Sequence, residues 1–170
     1  MQLNNLQDVL MEQLADLYSA ETQLVAALPQ MAGAAHSTQL REAFNHHLEQ
    51  TRNHVQRLDE AFSDLSVPRQ SETCQAMRGL IEEGDEIVHA TGDPDAIDAA
   101  LIAAAQRVEH YEISAYGTAR AIASELGYEK TAALLDETLD EEAQADKLLS
   151  KLAEGGFMRG GVNEKAASQN

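Results

Sequence analysis

The sequence predicts an all-α protein, a bundle of four long helices with a shorter helix between the second and third of them. Three observations carry that expectation. Apolar residues recur at three- and four-residue spacing over long stretches, the mark of amphipathic helices. Only three prolines interrupt those stretches, and tryptophan is absent. Alanine, leucine, glutamate and glutamine dominate the composition, a profile of helix formers. At 170 residues the chain reads as one domain, large enough for a core that needs no staples.

The first helix is expected from about Asn4 to the neighbourhood of Pro29, where a missing N–H and a ring clash should end or kink it. Ser37 is the expected N-cap of the second, which carries Leu40, Phe44, Leu48, Val55, Leu58 and Phe62 on one face and stops near Ser66–Pro68. A shorter helix spans about Ser71 to His89, less regular because it contains Gly79 and Gly84. Asp93 followed by Pro94 starts a long helix reaching roughly Leu126, and Gly127 closes it. The last runs from about Glu129 to Glu154, so the bundle domain is 1–154 and the polar stretch 155–170 is expected to be a mobile tail.

Charge and cysteine usage exclude several classes of function. A net charge of −17 with no basic cluster repels phosphate backbones, so no nucleic-acid partner is expected. An acidic surface attracts cations instead. Cys74 is the single cysteine, which rules out an internal disulfide and suits a reducing cytoplasm; its simplest role is a packed small hydrophobe. With no signal-like start and no long uncharged apolar run, neither export nor membrane insertion is expected.

The chemistry-bearing residues are acids on greasy stripes. Glu21 sits at the centre of Leu14, Leu17, Tyr18, Leu24, Val25 and Leu28. Glu112 centres Leu101, Ala104, Ala105, Val108 and Ala115, and Glu142 centres Leu135, Thr138, Leu139 and Leu149, with Asp146 one turn on. Three helices thus aim acid inward, and each buried ion costs several kcal/mol in effective desolvation unless something neutralises it. Two divalent cations would balance the four charges. Protonation of some acids, or inward pairing by Arg107 and Arg120, are the alternatives.

Four long helices with one long central crossover have ferritin-like connectivity. The segments Leu17–Leu24, Ala43–Thr51, Asp98–Glu112 and Thr138–Glu142 resemble, in the same order, the YciE/YciF family of bacterial stress-associated ferritin-like proteins, over about residues 3 to 154. The resemblance implies a cytoplasmic homodimer whose bundle holds a di-iron or di-manganese carboxylate centre. Such sites take a Glu from each of two helices and a Glu-x-x-His pair from each of the other two. This chain departs from that pattern. Thr51 stands where the second helix should offer a carboxylate, and Ala145 where the last should offer a histidine. The only Glu-x-x-His, Glu86 with His89, lies in the short helix and faces away from its apolar side.

The expected metal ligands are therefore Glu21, His47, Glu109, Glu112, Glu142 and Asp146, for iron or manganese. Glu109 lies off its stripe centre and could bridge or face solvent; His47 sits at a stripe edge, and His54 ranks below it. His110 points away from its own helix's core and suits an inter-subunit contact. His36, His46 and His89 read as surface residues. Two functions follow: oxidative chemistry on peroxide, dioxygen or ferrous iron, or a non-catalytic dimeric scaffold or metal buffer with a degenerate site.

Overall fold

A computed structural model describes residues 3–69, 72–156 and 159–168. Its elements in chain order are α1 (Leu6–Ala34), α2 (Thr38–Asp64), α3 (Gln75–Val88), α4 (Pro94–Glu125), α5 (Glu129–Glu154), β1 (Gly155–Gly156), β2 (Arg159–Gly160) and α6 (Val162–Ala167). The fold is all-α apart from the two-residue antiparallel ladder of β1 and β2. Among the described residues, no helix is long and apolar enough to cross a membrane.

Local chemistry sets most helix ends. Asn5 caps α1 by accepting from the Asp8 N–H at 2.9 Å, and Asp93 caps α4 by accepting from the Ala96 N–H at 3.0 Å, with Pro94 in the first turn. After α4, Gly127 takes φ +78°, a left-handed conformation that suits glycine. The α2 terminus uses the same device without glycine: Ser66 has φ 55°, and the Val67 N–H reaches back to the Phe62 carbonyl at 3.2 Å.

Two helix ends differ from the sequence expectation. Helix α1 runs through Pro29 to Ala34, so of the end or kink expected at Pro29 the end is not found. Pro29 lies on the exposed side, whereas Leu28, Met31 and Ala32 are buried, and burial of that face outweighs one lost backbone bond. Helix α3 begins later, at Gln75, because Cys74 serves as its N-cap, its Sγ accepting from the Met77 N–H at 3.3 Å. Cys74 is buried as expected, but it also caps. The expected start at Ser71 lies outside the described residues.

Two apolar clusters fill the bundle. One contains Leu24, Leu28, Phe44, Leu48, Leu101, Val108 and Leu149; the other contains Leu10, Leu14, Leu17, Leu58, Phe62, Tyr116 and Leu135. Following each helix from one cluster to the other gives its direction. Helices α1 and α5 run one way, α2 and α4 the other, so α2 and α4 are parallel and need the long crossover that contains α3. Around the ring α1 packs on α2 and α4, and α5 on α2 and α4, while α3 covers α1 and α4.

The stretch beyond Gly155, expected to be a mobile tail, packs where it is described. Helix α6 lies against α4 and α5, and Val162 is buried in the first cluster. A Cβ on Gly161 would stand 2.2 Å from the Ala153 carbonyl oxygen, so this close approach requires glycine. Residues 157–158 and 169–170 of that stretch lie outside the described residues.

Candidate metal centre

Between the two apolar clusters every long helix turns a polar side chain inward. Glu21 comes from α1, His47 and His54 from α2, Glu109 and Glu112 from α4, and Glu142 from α5, all buried. The layer follows from helical periodicity: on α2, His47, Thr51, His54 and Leu58 recur at spacings of four, three and four, which keeps them on one face.

The six side chains form two ligand groups, Glu21–His54–Glu142 and His47–Glu109–Glu112–Glu142, each able to place one donor atom per residue within 4.8 Å of the others. Glu142 belongs to both. Its Oε1 lies 3.0 Å from His54 Nδ1 and its Oε2 lies 3.6 Å from His47 Nε2. Glu21 Oε1 stands 3.3 Å from His54 Nδ1, and Glu109 Oε1 stands 3.5 Å from His47 Nε2.

Supporting contacts hold the first group. His54 Nε2 is 2.8 Å from Glu141 Oε2, and Arg57 donates to the same oxygen at 2.6 Å. Tyr116, fully buried on α4, donates its hydroxyl to Glu21 Oε1 at 2.5 Å. Thr51 donates to the His47 carbonyl at 2.9 Å and is no substitute for the absent carboxylate.

Five of the six ligands expected from the sequence come together here. Asp146 does not. It accepts from Gln106 Nε2 at 2.9 Å and faces His110 Nε2 at 3.3 Å near the surface, because it lies at the edge of the face whose centre runs from Glu142 to Leu149, two turns on. In its place stands His54, ranked too low from sequence although it lies seven residues after His47 on the same face. Glu141 and Tyr116 support the group from positions that the apolar stripes do not single out: Glu141 belongs to an acidic run, and Tyr116 follows Glu112 by one turn on α4. The exposed His36, His46, His89 and His110 stand apart from both groups.

Burial dictates how the centre carries charge. It pushes Glu112 and Glu109 well above the usual carboxylate range, with repulsion from Glu142 adding to the effect. Glu21 is raised too, burial outweighing the favourable contact with His54. Glu142 moves the other way: burial alone would raise it, but the His47 and His54 imidazoles beside it hold it down to about 2. For His54, burial disfavours the cation, yet the Glu142 and Glu21 carboxylates 3.0 and 3.3 Å from its Nδ1 push it up to about 10.

Protonation and histidine thus balance the buried acids. The alternative of inward arginines is corrected: Arg107 faces Glu83 at 3.8 Å and Arg120 faces Asp136 at 3.3 Å, both on the surface. Even so, the balance leaves donors unused. Among the described residues, every buried side-chain oxygen or nitrogen without a sound hydrogen bond, Arg120 Nε excepted, belongs to these six residues, including both oxygens of Glu112 and both nitrogens of His47. Native interiors rarely orphan polar atoms. Carboxylate oxygen with imidazole nitrogen suits a divalent ion of the first transition row, so this buried group is able to hold metal.

Comparison with known proteins places the chain. A family model described as a domain of unknown function, DUF892, matches residues 5–167. The chain belongs to the DUF892 family. Among DUF892 relatives, Protein YciF of Escherichia coli strain K12 is 45% identical over 172 residues, covering 99% of each chain. The crystal structure of that E. coli stress protein superposes with a TM-score of 0.86, covering 88% of this chain and 94% of that one. YcfI, a proposed structural protein from Rhodopseudomonas palustris, also gives 0.86 at 39% identity, covering 89% and 97%. A protein from Xanthomonas campestris gives 0.69 at 18% identity, covering 86% and 89%, and shows the shared fold alone.

Proposed function

We propose that this DUF892 protein binds two divalent ions, iron or manganese, between its four long helices and serves a stress-linked oxidative role on peroxide, dioxygen or ferrous iron. One observation carries the reading: Glu142 turns one carboxylate oxygen toward each of two donor groups that otherwise share no residue. A carboxylate so placed can serve two ions at once. When bound, such ions supply Lewis-acid and redox chemistry.

The chain's residues divide the remaining work. His54 and Glu21 hold one side, His47, Glu109 and Glu112 the other. Burial raises Glu109 and Glu112 well above the usual carboxylate range, so any protons they carry would be displaced if an ion were bound. Tyr116 holds a proton against Glu21 Oε1. The apolar clusters above and below exclude water from the layer. The net charge of −17 argues against a nucleic-acid partner, and a cytoplasmic homodimer is part of the proposal through the family resemblance.

A second reading, a metal buffer or dimeric scaffold, is favoured by Thr51 and Ala145, which stand where a complete ferritin-like site has glutamate and histidine. Elemental analysis of protein purified without chelator tests the metal. About two iron or manganese per chain is the expected content, lost in Glu142→Ala. Wild-type protein that also refuses added iron and manganese would end the redox reading. Peroxide consumption by loaded protein no faster than by the free ion would leave the buffer.

A further inference from the structure

A pocket of about 270 Å³ opens between α2 and α5 and runs inward to His47 and Glu109. Its outer wall includes the exposed Gln144 and Leu148; its inner end is formed by the two ligand residues, 6% and 3% exposed. Neither His47 nitrogen nor Glu109 Oε2 has a sound hydrogen bond, so the pocket ends on buried polar atoms with unused capacity. Phe44, Ala145 and Leu149 make its sides apolar.

Ala145 lines the pocket on the α5 side. It lies three residues after Glu142, where a Glu-x-x-His pair would project an imidazole; a methyl group there leaves the space between α5 and α2 open. A water-sized guest needs only ~10–15 Å³, so the pocket is far roomier than dioxygen or hydrogen peroxide requires. The chain's strong negative charge disfavours an anionic guest.

We propose that this pocket binds a neutral organic molecule with a short alkyl body and a terminal hydroxyl, held with its oxygen toward His47 and Glu109. Phe44, Leu148 and Leu149 contact the alkyl body, and the Gln50 and Gln144 amides flank the passage. The missing ligand position in α5, Ala145, is then part of a substrate pocket rather than decay of a site. That the guest sits beside a metal centre rests on the proposed function; that it binds at all does not.

The test uses tert-butyl alcohol as probe. With metal-free protein, saturation-transfer NMR from protein to the probe's methyl protons is expected for the wild type and lost in Ala145→Phe. Gln144→Trp, at an exposed position, is expected to weaken it in the same sense and answers the question if Ala145→Phe does not fold. With manganese-loaded protein, the methyl protons relax faster in the wild type than in either variant at equal manganese content. No transfer to wild type, or transfer equal in wild type and folded variants, overturns the pocket. Transfer without faster relaxation in manganese-loaded protein places the probe elsewhere and also overturns it. Protein that takes up no manganese refutes the metal reading, and the metal-free measurement then decides the pocket alone.

Discussion

His54 is gripped from behind by Glu141: its Nε2 lies 2.8 Å from Glu141 Oε2, while its Nδ1 stands 3.0 Å from Glu142 Oε1. A carboxylate on one ring nitrogen fixes the tautomer and leaves the other to face the centre. Arg57 extends the arrangement, donating to Glu141 at 2.6 Å and to Glu137 at 2.5 Å.

Because Glu141 acts through His54, Glu141→Gln should lower metal affinity by about 10- to 100-fold, the usual effect of losing such a partner. The fold should survive, since Glu141 is 24% exposed. Competition with a chelator of known affinity measures the change, and affinity equal to wild type would remove Glu141 from this role.

Glu112 separates the metal-free state from the loaded one. Burial pushes its carboxyl well above the usual carboxylate range and so favours the neutral form in the metal-free protein, and an amide has nearly the same shape. Glu112→Gln should therefore shift metal-free stability by no more than about 1 kcal/mol, the mild end for point substitutions. Under the proposed function, iron or manganese is expected to raise the melting temperature of the wild type, and Glu112→Gln should sharply reduce that rise. Thermal denaturation with and without manganese reads both effects.

The pH dependence of the metal-free protein has a definite sign. His54 is raised from 6.5 to about 10, so the folded chain holds an extra proton between those values; its stabilisation is complete below pH 6.5 and is lost as pH rises toward 10. Glu142 is lowered from 4.5 to about 2; its contribution is present above pH 4.5 and is lost as pH falls toward 2. Glu109 and Glu112, raised above 4.5, make the fold less stable as pH climbs beyond that value. Chemical denaturation across pH 5–10 should show stability falling on the alkaline side. Metal affinity should rise over the same range as loading displaces protons, which calorimetry in buffers of different ionisation enthalpy detects as proton release.

Asp98 holds a junction that spacing arguments pass over. Buried on α4, it accepts from the His36 N–H at 2.8 Å and the Ser37 N–H at 2.7 Å, tying the α1–α2 turn to the third long helix. Asp98→Ala strands two backbone donors and should cost about 2–3 kcal/mol, read as a lower midpoint in urea. An unchanged midpoint would mean the turn holds without it.

The sequence alone determined helices α1 to α5 to within a few residues at their ends, and the inward direction of Glu21, Glu112 and Glu142, because three- and four-residue periodicity is local and each apolar stripe identifies its own centre. Caps at Ser37 and Asp93 and the stop at Gly127 were legible for the same reason: each needs only its neighbours along the chain. Tertiary structure decided the rest. Whether Asp146 or His54 joins the centre depends on how α5 and α2 are rotated against the other helices, which no single stripe specifies. That Glu141 supports a histidine, that Arg107 and Arg120 stay outside, and that Ala145 lines a pocket are equally facts about facing surfaces. Burial by residues distant in sequence then sets which acids keep their protons, because desolvation is a property of the assembled core and not of any one helix.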